Sequence, residues 1–369
     1  MNDNKYYEKN QFNYNRKFPK NNPNVPIDTY IQKKLLGEGS FGTVYLIQAN
    51  NQTKKEYVCK NIDLTPLGKE NEKSALSEVS VLKRCKHPNI IQFKEVFITR
   101  KPKRVLHLIT EYADNGDLEQ KIKEQNDKNV FFPEKQIINW LIQVCLALKY
   151  IHGMNVIHRD IKPSNIFLTK NGIIKIGDFG ISKILSKNHK KTKTHIGTPN
   201  YMAPEVIESE KYDFNVDIWS LGVTFFELIT FKAPFYGKSE YGLFLNIING
   251  QKKMSINTFN NTNGNEYSHQ LIDIINKMIS NQPRQRPSID EILNVPIIKK
   301  ELEEFLENNR DLYKNIDIDL NIKGSNNDNK DTNQFNSNLV TIKEENEEKE
   351  YSRFDFQKLK NDSFNSSNI

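Results

Sequence analysis

Six short motifs in a fixed order constrain this chain more tightly than any bulk property. Gly37-Glu38-Gly39-Ser40-Phe41-Gly42-Thr43-Val44 comes first, followed by Lys60 and Glu78. His158-Arg159-Asp160-Ile161-Lys162-Pro163-Ser164-Asn165 is next, then Asp178-Phe179-Gly180, and last Ala203-Pro204-Glu205. Any one of these strings arises by chance; the ordered set at these gaps does not. The glycine string alone also fits a dinucleotide-binding turn, which sits between a strand and a helix with an acidic residue about 20 positions on. Here Val44 and Tyr45 continue as a strand, and the residue that follows on the next strand is Lys60. Glycines at 37, 39 and 42 let backbone amides come close to phosphate oxygens. A lysine inside an apolar strand needs an anionic partner, because burying its charge alone is costly.

Between the motifs the pattern changes along the chain. Residues 1–29 are Asn-rich, carry Pro19, Pro23 and Pro26, and lack apolar periodicity, which is the composition of a flexible arm. Tyr30–Gly37 and Thr43–Gln48 read as strands paired through the glycine turn, and Glu56–Asn61 as a third. Leu76, Val79 and Leu82 recur at helical spacing, predicting a helix over 73–85 that carries Glu78. Val105–Glu111 is strand-like, and Pro133 opens a long helix with Ile137, Leu141, Cys145 and Leu148 on one face. From Ala203 to about residue 298 the pattern is mostly helical. Strands early and helices late predict an α+β chain with two unequal lobes. Past Pro296 one more short helix is expected, with Ile298, Leu302, Phe305 and Leu306 apolar among charges and too short for a long coiled coil. Residues 315–369 are rich in Asn, Asp, Glu and Ser, with a charge run at Lys343–Glu350, and read as disordered. There are no internal repeats.

The 369 residues carry a net charge of +7, unevenly spread. Residues 301–369 hold 9 basic and 16 acidic side chains, whereas residues 30–300 carry a net +12. No aromatic-interleaved motif accompanies the basic region, so a solvated surface is preferred to nucleic-acid binding. The three widely spaced cysteines, Cys59, Cys85 and Cys145, fit reduced buried thiols rather than disulfides or metal ligands. No stretch resembles a signal peptide or reaches the roughly 20 apolar residues that span a bilayer. A cytoplasmic protein without membrane attachment is the expectation, with a nuclear location as an alternative.

The motif series resembles the protein kinase signature set, and the resemblance covers residues 30–298. It implies the two-lobed kinase fold: a small antiparallel-sheet N-lobe with one main helix, and a larger, mainly helical C-lobe. The arm at 1–29 and a tail at 299–369, a short helix followed by an acidic segment, would flank it. Lys162, two positions after Asp160, is similar to serine/threonine rather than tyrosine kinases. Within that group the chain is most similar to the NIMA-related (NEK) kinases. The shared features are Tyr57-Val58-Cys59-Lys60-Asn61-Ile62, Lys86-His87-Pro88-Asn89-Ile90, Trp140 with Gln143-Val144-Cys145-Leu146-Ala147-Leu148, Phe167, and Gly177 before Asp178. Asn200, Pro163-Ser164 and Asn215-Val216 depart from that group's pattern.

The resemblance implies that ATP and Mg²⁺ are used to phosphorylate Ser or Thr hydroxyls of protein substrates. Asp160 would orient the hydroxyl and accept its proton, with Lys162 beside the transferred group and His158 packed as a structural residue. Asn165 and Asp178 would hold Mg²⁺, and Lys60, braced by Glu78, the α/β-phosphates. Leu36, Gly37, Glu38, Gly39, Ser40, Phe41, Gly42, Thr43 and Val44 would cover the nucleotide. Val58 would roof the adenine and Phe167 floor it; Thr110 would be the gatekeeper, Glu111–Ala113 the hinge, and Asp117 would reach the ribose. In the activation segment Thr194 is the candidate phosphosite with Arg159 as its clamp, and Thr198 would brace Asp160. Glu205 and Arg286 would form a buried ion pair, and Asp217 would anchor the catalytic loop. The alternative from another class is a pseudokinase that binds nucleotide or partners without transfer. The substrate, activator and oligomeric state are not specified; by analogy, centrosomal or ciliary locations also come into view.

Overall fold

A computed structural model of the chain describes residues 29–39, 42–65, 79–99, 104–178, 199–252, 267–314 and 316. Strands β1 (Tyr30–Gly39), β2 (Gly42–Ala49), β3 (Glu56–Asp63), β4 (Phe93–Thr99) and β5 (Val105–Glu111) form one sheet in the order β1-β2-β3-β5-β4. All its pairings are antiparallel. Tyr30, Ile47, Ala49, Cys59 and Ile109 make a buried cluster on one face, with Tyr45, Tyr57 and Phe97 packed against it. Such alternation of inward apolar and outward polar residues is what a half-buried antiparallel sheet requires. Strand β4 was not anticipated. Its pairing with β5 shifts register between Phe93 and Glu95, so the period-two pattern breaks where it would have been read.

Helix α1 is described over 79–84. Glu78 lies outside the described residues, as do Ser40, Phe41, Phe179, Thr192, Thr194, Thr198, the arm at 1–28 and the acidic segment beyond 316.

Helix α2 (Leu118–Lys128) starts where the Asp117 carboxylate caps the Gln120 N–H at 2.9 Å. Helix α3 (Glu134–Gly153) follows Pro133, as predicted, and buries Ile137, Leu141, Cys145 and Leu148. Short strands β6 (Ile166–Leu168) and β7 (Ile174–Ile176) pair beneath it. The remaining helices are α4 (Pro204–Ile207), α5 (Asn215–Thr230), α6 (Glu240–Ile248), α7 (His269–Met278), α8 (Ile289–Leu293), α9 (Pro296–Asn308) and α10 (Arg310–Tyr313). Among the described residues no helix is long and apolar enough to cross a membrane. Cys59, Cys85 and Cys145 are free and buried, as expected.

Helix α5 is the axis of the second lobe, buried along its length except at Asn215 and Glu227. A helix with no polar face must satisfy its hydroxyls internally. Ser220, Thr224 and Thr230 do so by donating to the carbonyls of Val216, Ser220 and Phe226, at 3.0, 2.8 and 2.9 Å. Next to this helix the expected ion pair is present. Arg286 Nη1 and Nη2 reach Glu205 Oε1 and Oε2 at 2.6 and 2.8 Å, and both residues are buried. The guanidinium carbon also lies 5.0 Å from the ring centre of the buried Trp219.

Removing one partner of a buried pair leaves an uncompensated charge, so Arg286→Met should cost about 3–5 kcal/mol, read as a lowered urea midpoint. Acid should also destabilise the fold. Burial lowers both His87 and His107 from 6.5 to about 4, with Lys175 contributing at His87. The unfolded chain therefore takes up protons first as pH falls. Their contribution is complete above pH 6.5 and is lost as pH drops toward 4. Denaturation midpoints measured from pH 7 downward should fall across that window, and His107→Gln should flatten part of the slope.

Candidate active site

Asp217, fully buried on α5, holds the catalytic loop by its backbone. Its Oδ2 accepts from the N–H of His158 and its Oδ1 from that of Arg159, both at 2.8 Å. His152 Nε2 lies 2.8 Å from the same Oδ2. These bonds hold Arg159 at φ 68°, a left-handed conformation that a non-glycine residue adopts only at a cost. His158 is buried as a structural residue. Its Nδ1 accepts from the Asp160 N–H at 3.3 Å, which leaves Nε2 as the donor to the Gly177 carbonyl at 3.0 Å. One imidazole therefore ties the loop carrying Asp160 to the segment carrying Asp178.

Five of the predicted chemical residues form two groups here, Asp160 with Lys162 and Asn165, and Lys60 with Asp178. Asn165 is buried, and its Nδ2 donates to both the carbonyl and Oδ2 of Asp160, each at 2.8 Å. With both amide hydrogens committed, its Oδ1 makes no hydrogen bond among the described residues and remains a free oxygen donor. Lys162 Nζ lies 3.2 Å from Asp160 Oδ2. Lys60 Nζ reaches Asp178 Oδ1 at 2.6 Å, and Asp178 itself sits at φ 55°. So the strand lysine does have the anionic partner its position demands, and here that partner is Asp178.

The glycines of the turn differ in what requires them. A Cβ on Gly42 would lie 1.7 Å from the Asn61 carbonyl oxygen, at φ +142°, so the β2–β3 pairing itself demands glycine. A Cβ on Gly37 would meet nothing within 4 Å. Gly37 stands at a register shift of the β1–β2 pairing, and its open side leaves room for a ligand to come close to the backbone. Leu36 is exposed at the rim, next to Glu38 and Gly39 on β1, and Val44 pairs with Lys60 across β2 and β3.

Val58 pairs with Leu46 on one side and Thr110 on the other, which brings the residues expected as roof and gatekeeper into adjacent strands. Glu111 uses its carboxylate within the fold, accepting from the Gln92 N–H at 2.8 Å and pairing with Lys175 at 2.9 Å. Both contacts fall on Oε1, and the Glu111 N–H donates to the Gln92 carbonyl at 2.9 Å. Ala113 is buried, and its backbone N–H and C=O make no hydrogen bond among the described residues, as an adenine edge would need. Phe167 bridges to Asp117, whose capping role leaves it one committed oxygen, Oδ1. Burial pushes the Asp117 carboxyl upward, against the lowering effect of the amides it caps. Phe167 and Gly177 also form a unit. A Cβ on Gly177 would lie 2.9 Å from the Phe167 ring and 3.0 Å from Ile91, so any larger residue before Asp178 would push on that ring.

Sequence reasoning missed a polar chain behind the sheet. His107 Nδ1 meets Asn61 Oδ1 at 2.7 Å and His107 Nε2 meets Thr99 Oγ1 at 3.0 Å. Asn61 Nδ2 in turn lies 3.5 Å from Thr43 Oγ1 in the glycine-rich turn. Two polar side chains at inward positions of strands, Asn61 and His107, were the available signal, since such residues need each other when buried. Lys175 was missed because its partner is 64 residues away in sequence.

Residues 30–298 match the protein kinase domain family. The chain is 37% identical to the mouse serine/threonine-protein kinase Nek1 over 280 residues, which is 76% of this chain and 22% of that protein. It is 39% identical to mouse Nek3 over 269 residues, 72% of this chain and 49% of the relative. The probable serine/threonine-protein kinase nek3 of Dictyostelium discoideum matches at 37% over 280 residues, 75% of this chain and 24% of the relative. The chain thus spans between about a fifth and a half of the length of these relatives. With the five-stranded sheet, the helical second lobe and the loop geometry in place, the chain belongs to the protein kinase family and is NEK-like within it.

Proposed function

We propose that this chain is a protein serine/threonine kinase that transfers the γ-phosphoryl group of ATP to Ser or Thr hydroxyls of protein substrates. The observation that carries the reading is the pair of linked groups, Asp160 with Lys162 and Asn165, and Lys60 with Asp178, joined where the Gly177 N–H meets the Asn165 carbonyl. Pseudokinases usually lose the strand Lys, the loop Asp or the metal Asp, and here Lys60, Asp160 and Asp178 all stand.

The donor set fits a hard divalent cation. Asp178 supplies a carboxylate and Asn165 a free amide oxygen, and Mg²⁺ takes one or two protein oxygens, the rest coming from water and phosphate. The described residues contain no cluster of three His, Cys, Asp or Glu ligands, and such a site does not need one. When bound, Mg²⁺ neutralises charge on the phosphate oxygens. Asp160, oriented by the Asn165 amide, accepts the proton of the attacking hydroxyl. Lys162, within 3.2 Å of that carboxylate, can hold the transferred group in line. Lys60 and Asp178 neutralise each other in this structure; with nucleotide bound, Lys60 would hold phosphate oxygens and Asp178 would hold the metal. Val58, Thr110, the Glu111–Ala113 backbone and Phe167 enclose the base.

Activity is raised by a phosphate on Thr194. Arg159 is exposed, with its guanidinium carbon 5.8 Å from the Tyr212 ring centre, and could take such a group bidentately. Thr198 would select the hydroxyl substrate beside Asp160. Protein substrates are the expected partners, in a cytoplasmic, centrosomal, ciliary or nuclear setting.

Purified chain with ATP, Mg²⁺ and a generic protein substrate should phosphorylate it, and Asp178→Asn should lose at least about a hundredfold in rate, as losing a charge-assisted group at a transfer site implies. Equal rates for the two proteins would instead point to a pseudokinase. Thr194→Ala should lower the rate roughly tenfold, the loss of one or two charge-assisted bonds to phosphate. Full activity in that variant, with phosphate mapped elsewhere, would remove Thr194 from the account.

A further inference from the structure

Helices α9 and α10 run past residue 298, where the family match ends, and none of their residues enters the site. They reach back to the loop at 87–91 through one buried hydrogen bond. Tyr313, the last residue of α10, is 4% exposed, and its hydroxyl donates to Asn89 Oδ1 at 2.6 Å. Its ring stands edge-on to Phe305 at 5.4 Å and to His87 at 6.2 Å. Burial pushes the phenol well above its ordinary pKa, so it stays a donor.

Asn89 is fully buried and uses every side-chain group. Its Nδ2 donates to Gln143 Oε1 and to the Ile174 carbonyl, both at 2.9 Å. With both hydrogens spent, Oδ1 depends on Tyr313. The backbone of the same loop grips β7. Ile176 N–H donates to the Asn89 carbonyl at 2.8 Å, and Ile91 N–H to the Ile176 carbonyl at 2.9 Å. Ile176 is two residues before Asp178, and Ile91 packs on Gly177. The loop also follows α1, the helix expected to carry Glu78. A group at the far end of the chain thereby acts on the strand that presents Asp178.

We propose that α9 and α10 form a strap and that Tyr313 is a positioning residue for phosphoryl transfer, holding Asn89 so that β7 sets Asp178. Tyr313 touches neither nucleotide nor acceptor; it works through Asn89. The proposal rests on the kinase reading for its catalytic consequence, but not for its structural one.

The test compares Tyr313→Phe with Tyr267→Phe in the full chain. Tyr267 is also buried and donates its hydroxyl to the Phe132 carbonyl at 2.9 Å, with no link to β7. Both variants keep their rings and lose one buried hydroxyl bond, so similar small losses in thermal midpoint are expected. Only Tyr313→Phe should speed amide exchange at Ile91 and Ile176, by about fivefold for one lost hydrogen bond. Only that variant should lower kcat/KM for ATP, by about the same factor, with KM for the protein substrate unchanged.

Exchange and ATP parameters equal to those of Tyr267→Phe would overturn the strap. Faster exchange without any ATP-side loss would overturn the positioning role and leave Tyr313 a packing residue. If the unaltered chain transfers no phosphate, the kinase reading fails on its own. Exchange at Ile91 and Ile176, together with the Kd of Mg-ADP, then decides the strap: faster exchange with weaker binding supports it, and no change in either removes it.

Discussion

The Asp217 carboxylate organises the rest of the site. It has no exposure to water, yet it sits in the first turn of an apolar helix and accepts from the backbone amides of His158 and Arg159, with His152 alongside. A buried carboxylate without those donors would be intolerable, and a loop holding Arg159 in a left-handed conformation would relax without the carboxylate. Each makes the other possible. Through His158 the same anchor reaches Gly177, so the two aspartates of the site are referred to one point on α5.

Much of this was legible in the sequence because the chemistry depends on residue types that are rare in combination. Lys60, Asp160, Lys162, Asn165 and Asp178 are named by their motifs, and the structure joins Asp160 to Lys162 and Asn165, and Lys60 to Asp178, with Gly177 N–H on the Asn165 carbonyl linking the two groups. The ion pair of Glu205 and Arg286, 81 positions apart, could be expected only through resemblance to a family. No local pattern announces a contact at that distance. Strand β4 escaped because its bulge interrupts the alternation on which strand reading rests. The polar chain of Thr99, His107 and Asn61 escaped for a different reason: each side chain looks like an isolated exception until the three are brought together.

The same contrast separates two roles of glycine in one turn. Gly42 is required by the Asn61 carbonyl of a neighbouring strand, whereas open space surrounds Gly37. A sequence shows only that both are glycine. The distinction between a glycine that a side chain would break and one that a side chain would not becomes visible when the missing Cβ is placed in three dimensions.

The packing of Phe167 on Gly177 has an evolutionary corollary. Position 177 can acquire even a methyl group only if the Phe167 ring or Ile91 gives way, because the clearances are 2.9 and 3.0 Å. A change at one position is therefore felt at the other, so related chains should exchange the two together more often than apart. The ring at 167 and the backbone latitude of Asp178 then form a single heritable trait.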